Sequence, residues 1–220
     1  MTTYVDIFSQ IEMQCGLKDV DAAALNMLAC LVARDGAVFI EVGSWKGQSA
    51  AVLGKVALEC NGKVICVDHW RKTQDSWQEP PTKDLFDAFR KNIDELGLGS
   101  VVHPILTQSA MAAKILKDEI ANLVFIDADH RYEAVMQDIQ SWLPKVKKGG
   151  ILCGHDCEKL YTDCSSEVQY QIDTHLHMDF SHEANCHAGV VKAVHDCFGR
   201  RALIAKDSKV WMIKKENNGS

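Results

Sequence analysis

Along this chain a short apolar run repeatedly stops on a glycine or an acidic residue and gives way to a helical period. Ala37–Val42 (AVFIEV) closes on Gly43, and helical character over Gln48–Glu59 follows, ending at Asn61-Gly62. Lys63–Val67 stops at Asp68, and Lys83–Leu96 then sets Leu85, Phe86, Phe89 and Ile93 at helical spacing. Val101–Leu106 precedes a short helix over Ser109–Leu116. Leu123–Ile126 ends at Asp127. It leads into His130–Leu143, where Tyr132, Val135, Met136, Ile139, Trp142 and Leu143 share one face and Asp129 caps the first turn. Gly149-Gly150 turns into Ile151–Cys153, and the last strands, Ala202–Ala205 and Val210–Ile213, are joined by Lys206-Asp207-Ser208. Short apolar strands alternating with helices predict an α/β fold: an open, mostly parallel sheet covered on both faces, with right-handed crossovers.

Residues 1–36 read as an N-terminal helical segment, with Asp21 as the expected N-cap, Ala22–Ala33 as the buried run and Gly36 as the stop. The run is 12 residues long and includes Asn26, short of the roughly 20 that a bilayer span needs. Met1–Gly16 has neither the basic nor the apolar region of a secretory leader. The 9 cysteines form no C-x-x-C pair, which points to free thiols in a reducing, cytoplasmic setting. A length of 220 residues without a linker predicts one domain, 1–220. A net charge of −6 gives no broad footprint for nucleic acid or an anionic membrane. The interval Asp156–Gly189 fits neither period. Its interior, 157–188, is expected to be a lid or a substrate-contacting insertion.

In open sheets of this kind ligands bind beyond the carboxyl ends of the strands. Glu41, Gly43, Asp68, Asp127, His155 and Asp156 are the polar or glycine residues at those ends. Glu41-Val-Gly-Ser-Trp-Lys-Gly47 is a strand-to-helix glycine turn, either purely structural or a ligand cradle. It is not G-x-G-x-x-G, because Trp45 stands two residues after Gly43, and it is not a phosphate-binding G-K-[ST] loop. Both absences count against a nicotinamide-dependent oxidoreductase. Asp68 can cap its turn or accept both hydroxyls of a ribose, and its pairing with the first loop favours the ribose. Asp127, His155 and Asp156 converge if strands four and five are neighbours. Two carboxylates and an imidazole can hold Mg²⁺ or Mn²⁺, with the histidine shifting the preference toward Mn²⁺, Fe²⁺ or Zn²⁺. His130 is either a general base or a polar residue of the first helical turn. Trp45 and Trp70 sit in strand-end loops and can stack on a purine or simply pack there. The six histidines from His155 to His195, interleaved with Cys157, Cys164, Cys186 and Cys197, lack a regular spacing and read as a polar lid rather than a zinc site.

The run from Val124-Phe-Ile-Asp127-Ala-Asp129-His130 through Asp138-Ile139 and Trp142-Leu-Pro144 to Gly149-Gly150 and Gly154-His155-Asp156 resembles the class I S-adenosylmethionine-dependent methyltransferases. The most similar subgroup contains small-molecule O-methyltransferases and relatives of the cephalosporin hydroxylase and macrolide-sugar methyltransferases. Glu41–Gly47 is similar to that superfamily's first cofactor motif, and Gly189–Val194 to the subgroup's closing helix. The resemblance spans about residues 37–198. It implies a Rossmann-like sheet of seven strands, the last antiparallel, and methyl transfer to a small-molecule hydroxyl acceptor. A homodimer is a further expectation, and a non-catalytic S-adenosylmethionine-binding protein is the alternative within the same fold. By the same resemblance Glu41, Gly43, Ser44 and Gly47 would hold the methionine part of the cofactor. Asp68 with His69 would hold the ribose, Ser109 would lie near the adenine, and Asp127 would border the cofactor. Asp127, His155 and Asp156 stand at the divalent-metal positions, with His155 where those enzymes usually carry a carboxylate. Asp127, His130 and His155 would act on the acceptor.

Overall fold

A computed structural model describes residues 16–71 and 82–216. Helix α1 covers Asp19–Val32. The alternation then runs β1 (Val38–Val42), α2 (Gln48–Glu59), β2 (Lys63–Asp68), α3 (Thr82–Glu95), β3 (Val102–Leu106), α4 (Ser109–Ile115), β4 (Ala121–Ile126), α5 (Tyr132–Trp142) and β5 (Val146–Gly154). Helices α6 (Ser166–Thr174) and α7 (Ala188–Phe198) precede the short β6 (Leu203–Ile204) and β7 (Trp211–Lys214). The leader reading of Met1–Gly16 falls almost wholly outside the described residues. Among those described, no helix is long and apolar enough to cross a membrane.

The seven strands lie in the order β3-β2-β1-β4-β5-β7-β6. Strands β1 to β5 pair in parallel, and β7 runs antiparallel between β5 and β6. A doubly wound dinucleotide-binding sheet instead ends in 4-5-6, so the inserted antiparallel strand separates this fold from the oxidoreductase alternative. Strands β1 and β4 are buried along their whole length, as a parallel strand covered on both faces must be. Period two divides their side chains between the two layers. Phe39, Leu123 and Phe125 pack with Leu25, Leu28, Val52 and Leu53 on the α1–α2 side. Ile40, Val42, Val124 and Ile126 pack with Val135, Ile139, Trp142 and Val191 on the α5–α7 side. β3 is an edge strand, which accommodates Pro104.

Three expectations are corrected. Asp21 does not cap α1: the cap is Lys18, without a side-chain bond, and Asp21 is a buried residue of the helix. Gly149-Gly150 is not a turn before β5 but lies inside it, at an irregularity where Ala121 pairs with Val146 and Leu123 with Ile151. Asp129 accepts the Arg131 N–H at 2.9 Å, so helix α5 begins only at Tyr132. The interval 157–188 is structured rather than a bare loop. It holds a 3₁₀ turn (Tyr161–Asp163), α6 and a Ser181–Cys186 bridge, and Cys157, Ile172, Ala184 and Cys186 anchor it in the core.

Candidate active site

The parallel ladder continues past the strand ends and fixes the site. Gly43 N–H donates to Val67 O at 2.9 Å, Asp127 N–H to Val42 O at 2.8 Å, and His155 N–H to Ile126 O at 3.1 Å. Asp127 and His155 therefore stand side by side beyond neighbouring strands. Gly43 has φ +86°, and a Cβ there would lie 2.0 Å from the Asp127 carbonyl oxygen, so only glycine lets the first turn pack on the end of β4. Gly189, at the start of α7, meets the backbone of His130 as closely: a Cβ would be 2.3 Å from His130 O. This contact sets the position of the His130 segment.

A cavity of about 800 Å³ opens at this end of the sheet. Gly43, Asp68, His69, Ser109 and Asp127 line it, together with Trp45, Asp129, Asp138 and Asp179. Glu41, Ser44 and Gly47, expected at the cofactor, are not among its lining residues. Glu41 is a fully buried residue within β1, on the α1–α2 side. Neither of its carboxylate oxygens has a hydrogen-bond partner, and burial raises its pKa to about 7. Gly47 has φ +90° and backs onto Phe89, so the chain rather than a ligand occupies its free space.

Asp68 is more engaged than a free ribose acceptor. Its Oδ2 accepts the N–H groups of Ser44 and Trp45, each at 2.9 Å, and its Oδ1 accepts that of Trp70 at 2.6 Å. A carboxylate has about four lone-pair positions, so capacity for one further donor remains. Trp70 is buried against Phe86 and Phe89, and its indole N–H donates to Trp45 O at 2.7 Å; it is packing, not a purine platform. Trp45 is the half-exposed member of the pair and faces the cavity.

Ser109 lies at the cavity, but its hydroxyl is in use. It donates to Asp138 and accepts the Trp142 indole N–H at 2.8 Å. Asp138 is a cavity residue that the sequence reading left without a role. Burial raises its pKa to about 6, against the lowering effect of Ser109. A signal was present: Asp138 falls on the apolar face set by Val135, Ile139 and Trp142, where a carboxylate needs a reason.

At the rim the predicted metal residues do come together. Asp127, His155 and Asp156 present ligand atoms within 4.8 Å of one another, as do His130, Asp156 and His187. Among the described residues no such group contains a cysteine, so the expected polar reading of the cysteine-rich interval stands. The His155 ring is buried with Nδ1 3.3 Å from Asp156 Oδ2 and 3.8 Å from Asp127 Oδ2, and Nε2 3.3 Å from Asp21 Oδ2. Asp21 also accepts the Lys209 N–H at 2.8 Å, joining α1 to the site across most of the chain. Burial alone would lower both imidazoles. Their carboxylate neighbours instead hold His130 and His155 at about 10, and hold Asp156 well below the usual carboxylate range. Asp156 adopts φ +58°, a left-handed conformation that aspartate tolerates better than most residues.

The profile of the family described as a methyltransferase domain matches residues 40–157, more than half of the chain. Among solved structures, the SAH-bound methyltransferase PaMTH1 of Podospora anserina is similar with a TM-score of 0.66 at 13% identity, over 97% of this chain and 88% of that one. A SAM-dependent O-methyltransferase of Thermotoga maritima gives 0.62 at 13% identity, over 99% and 73%. An O-methyltransferase of Bacillus cereus in complex with SAH gives 0.61 at 14% identity, over 98% and 91%.

Proposed function

The chain belongs to the methyltransferase-domain family, and from that premise we propose that it transfers a methyl group from S-adenosylmethionine to a hydroxyl of a small molecule, assisted by a divalent cation. The observation that carries this reading is the position of Asp127, which borders the strand-end cavity and also belongs to the carboxylate–imidazole cluster at its rim. The cavity volume lies in the range of small-molecule sites, roughly 300–1,000 Å³. Its lining carries Asp68, Asp127, Asp129, Asp138 and Asp179, a negative surround suited to a cationic sulfonium. Among solved structures of this fold, those from Podospora anserina and Bacillus cereus are described with SAH bound, which supports the same cofactor class here.

S-adenosylmethionine, when bound, supplies an electrophilic methyl group, and the divalent ion supplies Lewis acidity toward the acceptor oxygen. Asp127, His155 and Asp156 would hold that ion, and their mixed oxygen and nitrogen donors fit one. The remaining work belongs to the chain. Asp68 fixes the Ser44-Trp45 turn and offers its remaining lone pair to the ribose. Ser109 and Asp138 shape the far wall. Asp127 meets both the cofactor space and the rim, so the acceptor oxygen held there points toward the cofactor, and such positioning supplies much of the rate of a bimolecular transfer. The acceptor's proton leaves to the carboxylate–imidazole cluster. The insertion brings Asp179 to the same cavity and covers one side of it.

Calorimetric titration of the chelator-stripped protein with S-adenosylmethionine tests the reading, with and without Mg²⁺ or Mn²⁺, and with NAD as control. Micromolar binding of S-adenosylmethionine and none of NAD is expected. Absence of S-adenosylmethionine binding under every condition would refute it.

A further inference from the structure

We propose that His130 is itself a metal ligand, and that Asp127, His130, His155 and Asp156 form a two-imidazole, two-carboxylate site that takes a borderline transition ion such as Zn²⁺ or Fe²⁺ in preference to Mg²⁺. The inference rests on the metal-assisted reading above and adds a ligand and a selectivity to it.

The first argument is the direction in which the two rings face. His130 Nε2 lies 3.3 Å from Asp156 Oδ2 and 3.8 Å from Asp127 Oδ1. His155 Nδ1 lies 3.3 Å from the same Asp156 Oδ2 and 3.8 Å from Asp127 Oδ2. The two nitrogens thus flank one pair of carboxylates, at separations typical of atoms that share an ion. His130 Nε2 is buried and has no aligned hydrogen-bond partner.

The second argument is what stands behind each ring. His130 Nδ1 contacts Asp179 Oδ1 at 2.7 Å, and His155 Nε2 faces Asp21 Oδ2. A metal-binding imidazole characteristically gives its other nitrogen to a carboxylate, which fixes the tautomer and turns the remaining lone pair to the ion. Both rings have that arrangement, and the two carboxylates come from distant parts of the chain, α1 and the insertion.

The third argument decides between the two overlapping triads. Asp156 Oδ1 is already engaged by Lys209 Nζ at 3.2 Å, and His187 Nδ1 by Glu158 Oε1 at 2.7 Å. Only the Oδ2 side of Asp156 remains for an ion, and that side faces His130 and His155. Imidazole donors favour zinc and iron, whereas Mg²⁺ prefers an all-oxygen shell with several waters.

Co²⁺ titration of the chelator-stripped protein, followed by visible absorption, tests this without any turnover. One Co²⁺ per chain is expected, displaced by equimolar Zn²⁺ and only by Mg²⁺ in excess on the order of a hundredfold. His130→Gln should weaken Co²⁺ binding about tenfold or more and change the absorption bands. Asp179→Ala alters a mostly exposed side chain and so leaves folding intact. It should weaken Co²⁺ binding roughly tenfold. Unchanged Co²⁺ affinity and bands in both variants, or Mg²⁺ competing as well as Zn²⁺, would overturn the proposal and leave a metal at Asp127, His155 and Asp156 standing. No ion bound by the unmodified chain would overturn the metal-assisted reading, and this inference with it.

Discussion

The carboxylate of Asp68 accepts the backbone N–H of Ser44 at 2.9 Å, so the end of β2 holds the first strand-to-helix turn in place. The same oxygen takes the Trp45 N–H, and the other takes that of Trp70. Hydrogen bonds to a charged group contribute about 1.5–3 kcal/mol each. Asp68→Ala leaves three N–H groups without this partner and removes the ribose acceptor. Thermal unfolding should shift down by several degrees. Affinity for S-adenosylmethionine should fall about tenfold or more, with Co²⁺ affinity unchanged. Cofactor affinity equal to that of the unmodified chain would remove the ribose assignment.

Gly43→Ala tests the seam between the first turn and β4. The new methyl group would lie 2.0 Å from Asp127 O on a backbone at φ +86°. Left-handed strain alone costs of order 1–3 kcal/mol, and the overlap adds to it. Urea unfolding should show a loss of more than about 2 kcal/mol. A variant of unchanged stability would mean that the turn does not pack as described.

Glu41 makes stability depend on pH. Burial raises its folded-state pKa to about 7, above that of the unfolded chain, so the folded state binds the proton more tightly. The stability this provides is present below about pH 4.3 and is lost as pH rises to 7, roughly 3 kcal/mol at about 1.4 kcal/mol per unit. Glu41→Gln keeps the shape and removes the titration. Its stability relative to the unmodified chain should therefore climb between pH 5 and 7 and then level off. Asp138, raised in the same direction, is common to both proteins and cancels. Parallel denaturation curves across that range would contradict the assignment.

Strands β1, β2 and β4 were legible because burial on both faces writes them as unbroken apolar runs. Gly43, Asp68 and Asp127 were legible because a strand end is a local event. Helix α2 matched residue for residue, bounded by Gly47 and Asn61. Asp21 was misread because capping rules look a few residues ahead, whereas its partners, His155 and Lys209, are contributed by the far end of the chain. Helix α6 was missed because Ile172 is its only buried residue, which leaves no apolar face to detect. Gly149-Gly150 looked like a turn because the glycine signal of an irregular strand and that of a loop are the same. The full extent of the rim cluster was unreadable for a related reason. His130, Asp179 and Asp21 meet only through the contact of α1 and the insertion with the strand ends.

Asp127→Asn combined with Asp156→Asn separates the rim from the cofactor cavity. The two substitutions remove the charge that would hold an ion while keeping size and hydrogen-bonding capacity. Asp127 borders the cavity, but neither substitution reaches Asp68 or the Ser44–Trp45 turn. Affinity for S-adenosylmethionine should therefore stay within a few fold. Methyl transfer to a hydroxyl acceptor should fall on the order of a hundredfold or more, and added Zn²⁺ or Mn²⁺ should no longer restore it after chelation. The remaining imidazoles, His130 and His155, would lose the carboxylates that hold their pKa values high and would titrate closer to neutrality. The imidazole signals of the double variant should therefore titrate at lower pH in NMR spectra of the metal-free protein. Full turnover in the double variant, with the imidazole titration unmoved, would show that the rim takes no part in the reaction.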